Sequence, residues 1–131
     1  MKRAVALLLL TASACSSTNG LNIYESSGLD EAVSLEIVVD GEDGSQQWMT
    51  VSEDGQVQGL AELLDESLAE VDADDCASTV TVKFYSSDAS NQQLEVGCDR
   101  IRLARAAGEP TYAAPEFAAA IREMVSDLPS P

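Results

Sequence analysis

The stretch AVSLEIVVDGEDGSQQWMTVS, Ala32 to Ser52, decides the fold. Val33, Leu35, Ile37 and Val39 alternate with Ser34, Glu36 and Val38. That is the period-two pattern of a strand with one face against a core. Met49 and Val51 alternate in the same way with Trp48 and Thr50. Between the two runs lies a five-residue loop, Gly41 to Ser45, with glycine at 41 and 44. Pairing Val39 with Gln47, Ile37 with Met49 and Leu35 with Val51 makes a hairpin with all its apolar residues together. A slip of one residue would turn one strand's apolar set to water, so the register is strongly specified. It also sets Val38 opposite Trp48 on the other face.

Working outward, LNIYESSG (Leu21–Gly28) reads as a short strand ending in a turn. GLAELLDESLAEV (Gly59–Val71) carries a helical period, with Leu60, Leu63, Leu64, Leu68 and Val71 in one stripe. STVTVKFY (Ser78–Tyr85) and QQLEVGCDRIRLA (Gln92–Ala104) alternate again. Pairing Phe84 with Leu94 and Val82 with Val96 sets Lys83 opposite Glu95. Ile101 and Leu103 then have the wrong parity, which predicts a bulge or bend between Gly97 and Arg100. APEFAAAIREMVSDLP (Ala114–Pro129) predicts a helix with Pro115 in its first turn and Pro129 as its stop. Phe117, Ile121, Met124, Val125 and Leu128 form its apolar stripe. The order strand, hairpin, helix, hairpin, helix predicts an α+β fold: an antiparallel sheet of hairpins with two helices packed on one face. One domain, residues 21–131, holds all of it.

The N-terminus has its own logic. Lys2 and Arg3 precede an apolar run, Ala4 to Leu10, too short to span a bilayer as a helix. Ala12-Ser13-Ala14 then leads into Cys15. This stretch resembles the lipobox of bacterial lipoprotein signal peptides, departing from it at Ala12, where the family usually carries Leu. The resemblance implies a signal peptide over residues 1–14 and cleavage before Cys15. It also implies a diacylglycerol thioether on the Cys15 thiol and acylation, palmitate-like, of the new amine. Residues 15–20 become the lipidated cysteine and a soft tether. Two or three acyl chains hold a protein stably at a membrane. The location implied is the cell envelope, with Ser16 favouring the outer membrane facing the periplasm under enteric-type sorting. The alternative is an ordinary secretory signal, with Cys15 lost or left as a thiol.

The chain is acidic, with 23 Asp and Glu against seven Lys and Arg, and a formal charge of −16. Loss of residues 1–14 leaves five basic residues and a charge of −18. Nucleic acid and anionic head groups would repel such a domain, so nucleic acid is excluded as a partner and membrane attachment falls to the lipid. Cys76 and Cys98 remain as an even pair, which in an exported protein reads as a disulfide. Two inert thiols are the other reading.

Much chemistry is absent. The sequence has no histidine, which removes Ser-His-Asp and Cys-His pairs and most zinc sites. There is no glycine-rich phosphate loop, and no cofactor is implied. Carboxylates abound without singling out a catalytic pair. DGEDG (Asp40–Gly44) and EVDADD (Glu70–Asp75) invite a calcium reading, but neither has EF-hand spacing. No metal ligands are assigned. The second cluster falls at the C-terminal end of the expected helix, where the dipole disfavours negative charge.

Two surface features suit a partner. Trp48, the single tryptophan, stands with Val38 on the face away from the core unless another segment covers it. RIRLAR places Arg100, Arg102 and Arg105 together on an acidic domain, either to grip a partner or to neutralise the domain's own acids. NIYESSGLDEAVSLEIVVDG (Asn22–Gly41), with the closing strand pair and helix, resembles emfourin, a family of small inhibitors of thermolysin-like metallopeptidases. Leu29 departs from that family at the second glycine of the turn, and the hairpin around Trp48 is an addition. The resemblance implies a non-catalytic inhibitor or binding module with a peptidase as partner, and no inhibitory residue carries over. The expectation is therefore a lipid-anchored envelope protein that binds another protein through Trp48, Val38, Arg100 and Arg102. The alternatives are an assembly lipoprotein docking on an envelope complex, or a cation-binding protein or enzyme.

Overall fold

The computed structural model describes residues 20–72, 79–105, 108–126 and 128. Ala32–Asp40 (β2) and Gln46–Val51 (β3) pair in the expected register, from Leu35 opposite Val51 to Asp40 opposite Gln46. Before them come Gly20–Leu21 (β1) and a one-turn helix, Ile23–Ser26 (α1). After them come Asp54–Glu62 (α2) and the strands Leu68–Val71 (β4) and Val80–Ser86 (β5). Asn91–Val96 (β6), Arg100–Leu103 (β7), Thr111–Ala113 (β8) and the helix Pro115–Val125 (α3) follow. All the strands join one antiparallel sheet of eight, ordered β1-β4-β8-β7-β6-β5-β2-β3.

This corrects the expected α+β fold, an antiparallel sheet of hairpins with two helices packed on one face in strand-hairpin-helix-hairpin-helix order. The described residues are mostly sheet, with three short α-helices. The Leu21–Gly28 segment turns into helix because Asn22 caps it, its side-chain oxygen accepting from the Glu25 N–H at 2.9 Å. Gly28, at φ +66°, ends the turn. The Gly59–Val71 segment is not one helix. α2 begins earlier, at Asp54, and closes with tight i to i−3 bonds from Leu63, Leu64 and Asp65. Leu68 then starts a strand that pairs with β1 on one side and β8 on the other. Leu68 is buried as a strand residue, and an apolar residue at its spacing suits a helix stripe equally.

Two registers also move. β5 and β6 pair two residues from the expected alignment, with Val82 opposite Leu94 and Val80 opposite Val96. A shift of two keeps every side chain on its face. Lys83 therefore faces Gln93 and forms its ion pair with Glu36, at 3.8 Å, instead of standing opposite Glu95. Between Gly97 and Arg100 the chain does not bulge within a strand. It reverses, closed by Gly97 N–H to the Arg100 carbonyl at 2.8 Å, and so returns Ile101 and Leu103 to the core face opposite Val96 and Leu94. A real irregularity lies in β2 between Ala32 and Ser34; there Ala32 is buried and Val33 is exposed.

The core is one cluster. Leu35, Ile37, Val82, Phe84, Leu94 and Ile101 supply it from the sheet. Val57, Leu60 and Ala61 of α2, and Phe117, Ala118 and Ile121 of α3, join it. Phe84 and Phe117 meet with ring centres 6.2 Å apart. Gln58 ties α2 to the N-terminal segment: its amide donates to the Ala32 and Leu29 carbonyls at 3.0 and 3.3 Å, and its oxygen accepts from the Tyr24 hydroxyl.

Candidate functional site

Alternation along each strand that buries Ile37 and Val82 turns the residues between them to the other face. There the pairings line up one row of side chains across seven strands. It runs Trp48, Val38, Thr81, Glu95, Arg102, Thr111, then Val71. The apolar end is at β3. Trp48 is 61% exposed, whereas Val38, beside it, is only 8% exposed. Among the described residues Trp48 and Val33 are the exposed large hydrophobic side chains. The hairpin register thus puts Trp48 beside Val38, but Val38 is buried there, so of the expected pair only Trp48 presents an exposed surface.

The arginines fall elsewhere. Arg102 is four strand spacings from Trp48, roughly 19 Å, and its guanidinium donates to Glu95 Oε1. Arg100 Nε donates to Asp99 at 3.0 Å, and its Nη1 to the Asp72 carbonyl. Arg105 pairs with Glu109 at 3.3 Å. The cluster therefore stitches β4, β6 and β7 together and neutralises the domain's own acids. Trp48 and Val38 share one patch, and Arg100 and Arg102 lie on the same sheet away from it.

Cys15 lies outside the described residues. So does Cys76, and with it the pairing to Cys98. Cys98 itself is exposed in the β6–β7 turn, and its carbonyl accepts from the Arg122 guanidinium. Glu70 and Asp72 do not crowd a helix end; they lie on and just after β4, while Asp74 and Asp75 lie outside the described residues. Among the described residues no three Asp, Glu or Cys side chains gather as a cation site. The Asp40–Gly44 loop has a structural job, because Asp43 accepts from the Ser45 hydroxyl at 2.6 Å and its N–H at 2.9 Å. Those bonds favour the ionised carboxylate and lower its pKa.

The sequence pattern alone did not single out the outer margin of this patch. Among the described residues β3 is the terminal strand of the sheet, and two clefts border it. One, of about 440 Å³, is lined by Met49, Val51, Glu53, Gln56 and Met124. The other, of about 470 Å³, is lined by Val39, Gln47, Asp40, Glu42 and Asp43. No protein-family model, no curated protein and no solved structure matches this chain.

Proposed function

We propose that this is a lipid-anchored protein of the cell envelope whose domain binds another protein and performs no catalysis itself. The observation that carries the reading is Trp48, 61% exposed on the sheet face away from the core, with the buried Val38 beneath its flank. An exposed Trp on a rigid strand is the residue type that most often dominates an interface. The lipobox resemblance around Cys15 supports the anchor. The emfourin resemblance makes a thermolysin-like metallopeptidase the first partner to try. The second reading, an assembly lipoprotein docking on an envelope complex, draws on the terminal position of β3.

The test has two arms. Cys15→Ser should release the chain from membranes, and retention through a salt wash would remove the anchor. In the other arm, the full chain is titrated against a thermolysin-like metallopeptidase, and a photo-crosslinker is placed at position 48 in cells. Trp48→Ala should keep its melting temperature and lose about 2 kcal/mol of partner affinity, roughly thirtyfold. Inhibition identifies the peptidase reading, and a discrete crosslink to an envelope component without inhibition identifies the assembly reading. Absence of both inhibition and any crosslink overturns protein binding at this patch.

A further inference from the structure

β3 has β2 on one side and, among the described residues, no strand on the other. The hairpin bond from Gly41 N–H to the Ser45 carbonyl, at 2.7 Å, sets the phase of its ladder. Bonded and non-bonded pairs alternate in an antiparallel ladder. Gln47, Met49 and Val51 are therefore the residues that bond to β2. The backbone N–H and C=O groups of Gln46, Trp48 and Thr50 point outward from the sheet.

Proteins usually guard such an edge with charge, proline, a bulge or shortness. β3 has none of these devices. Gln46 to Val51 holds no charged residue and no proline, and its six pairs with β2 run without a break. The opposite edge, β1, is only two residues long. The segment before Gly20 leaves from there, seven strand spacings or roughly 34 Å away.

The charges around β3 identify what fits. Asp40, Glu42 and Asp43 are exposed beyond one end, and Glu53 and Asp54 beyond the other. A second copy of this chain, with a formal charge of −16, would bring like charge to both ends. A strand with basic ends would meet opposite charge at both. Side chains of an added strand alternate between faces. One set would lie towards the clefts at Gln47 and Met49, and the other beside Trp48 and Thr50.

We propose that β3 accepts an extended, basic-ended segment of the partner protein as a ninth strand of the sheet. This rests on the protein-binding reading and specifies how the partner attaches. The probe is a labelled peptide, Lys-Arg-Val-Thr-Val-Thr-Val-Lys-Arg, titrated onto the full chain by fluorescence anisotropy. Its controls are the same peptide with alternate amides N-methylated, and one with Glu replacing Lys and Arg. The variant Thr50→Pro removes one outward N–H and leaves the β2 ladder its bonds. Binding should weaken roughly tenfold or more with N-methylation, with the charge swap and with Thr50→Pro. If Thr50→Pro does not fold, the N-methylated peptide alone decides. Equal binding of the methylated and unmethylated peptides would show charge attraction without strand addition and overturn the proposal, as would no binding at all. A dimer formed through β3 would overturn it too. A natural partner lost by Trp48→Ala but retained by Thr50→Pro would also remove the added strand, leaving the protein-binding reading in place.

Discussion

Ala89 sits at φ +72°, in the position that Gly44 fills at φ +86° in the other hairpin. The two loops are built alike. Ser86 N–H bonds the Ser90 carbonyl at 2.9 Å, as Gly41 N–H bonds that of Ser45, and Ala89 N–H returns to Ser86 as Gly44 does to Gly41. Asp88 accepts from the Ser90 hydroxyl at 2.6 Å and N–H at 3.0 Å, repeating the Asp43 arrangement and its lowered pKa. A folded-state pKa below the unfolded one gives stability that is present above the unfolded pKa and lost as pH falls through the folded one. Both loops therefore hold at neutral pH and loosen in acid. The left-handed conformation is open to glycine and strained for alanine. Ala89→Gly should raise unfolding stability by about 0.5 to 1 kcal/mol, and Gly44→Ala should lower it by about 1 kcal/mol. Urea denaturation of the two variants measures both. Equal, negligible effects would mean that the loops relax around their central residue.

At the level of elements, the β2–β3 register was legible to the residue, because alternation and a glycine-bearing loop agree on it. Trp48 and Val38 were legible as neighbours for the same reason. α2 was harder to read. Gly55 and Gly59 argue against a helix, yet Val57, Leu60 and Ala61 are buried beneath it, and that burial outweighs propensity. β4 was hidden because both its partners, β1 and β8, lie far along the chain, and β8 because three residues are too few for a period to show. The Gly97–Arg100 reversal was legible as a parity fault but not as a hairpin. The engagement of Arg100 and Arg102 was illegible, since it depends on Asp72 and Glu95 arriving from other strands. α2 also yields a test. A Cβ at Gly59 would meet no atom within 4 Å. Gly59→Ala should therefore stabilise the fold by about 1 kcal/mol, read as an increase in melting temperature. A decrease would mean that the open space is used by something else.

For the molecule as a whole, charge dominates. Lys83, Arg100, Arg102 and Arg105 are each committed to an acid, and 23 acids against seven basic residues leave a large excess of negative charge. Raising salt from 0.01 to 1 M shortens the screening length from about 30 to about 3 Å. The melting temperature should climb across a sodium chloride series. A flat series would mean that local hydrogen bonds already offset the repulsion. The strand order has a consequence in time. β5 to β8 and the β2–β3 hairpin join neighbours along the chain, but β1–β4, β2–β5 and β4–β8 each join residues roughly 40 to 50 apart. Those three ladders must wait for long loops to close, which places folding in the millisecond-to-second range of sheet proteins and not among the microsecond folders. During that wait the inner edges of β2 and β5 stand open beside the edge of β3. Negative charge shared by every copy keeps one unfinished chain from docking on another until its own strands arrive.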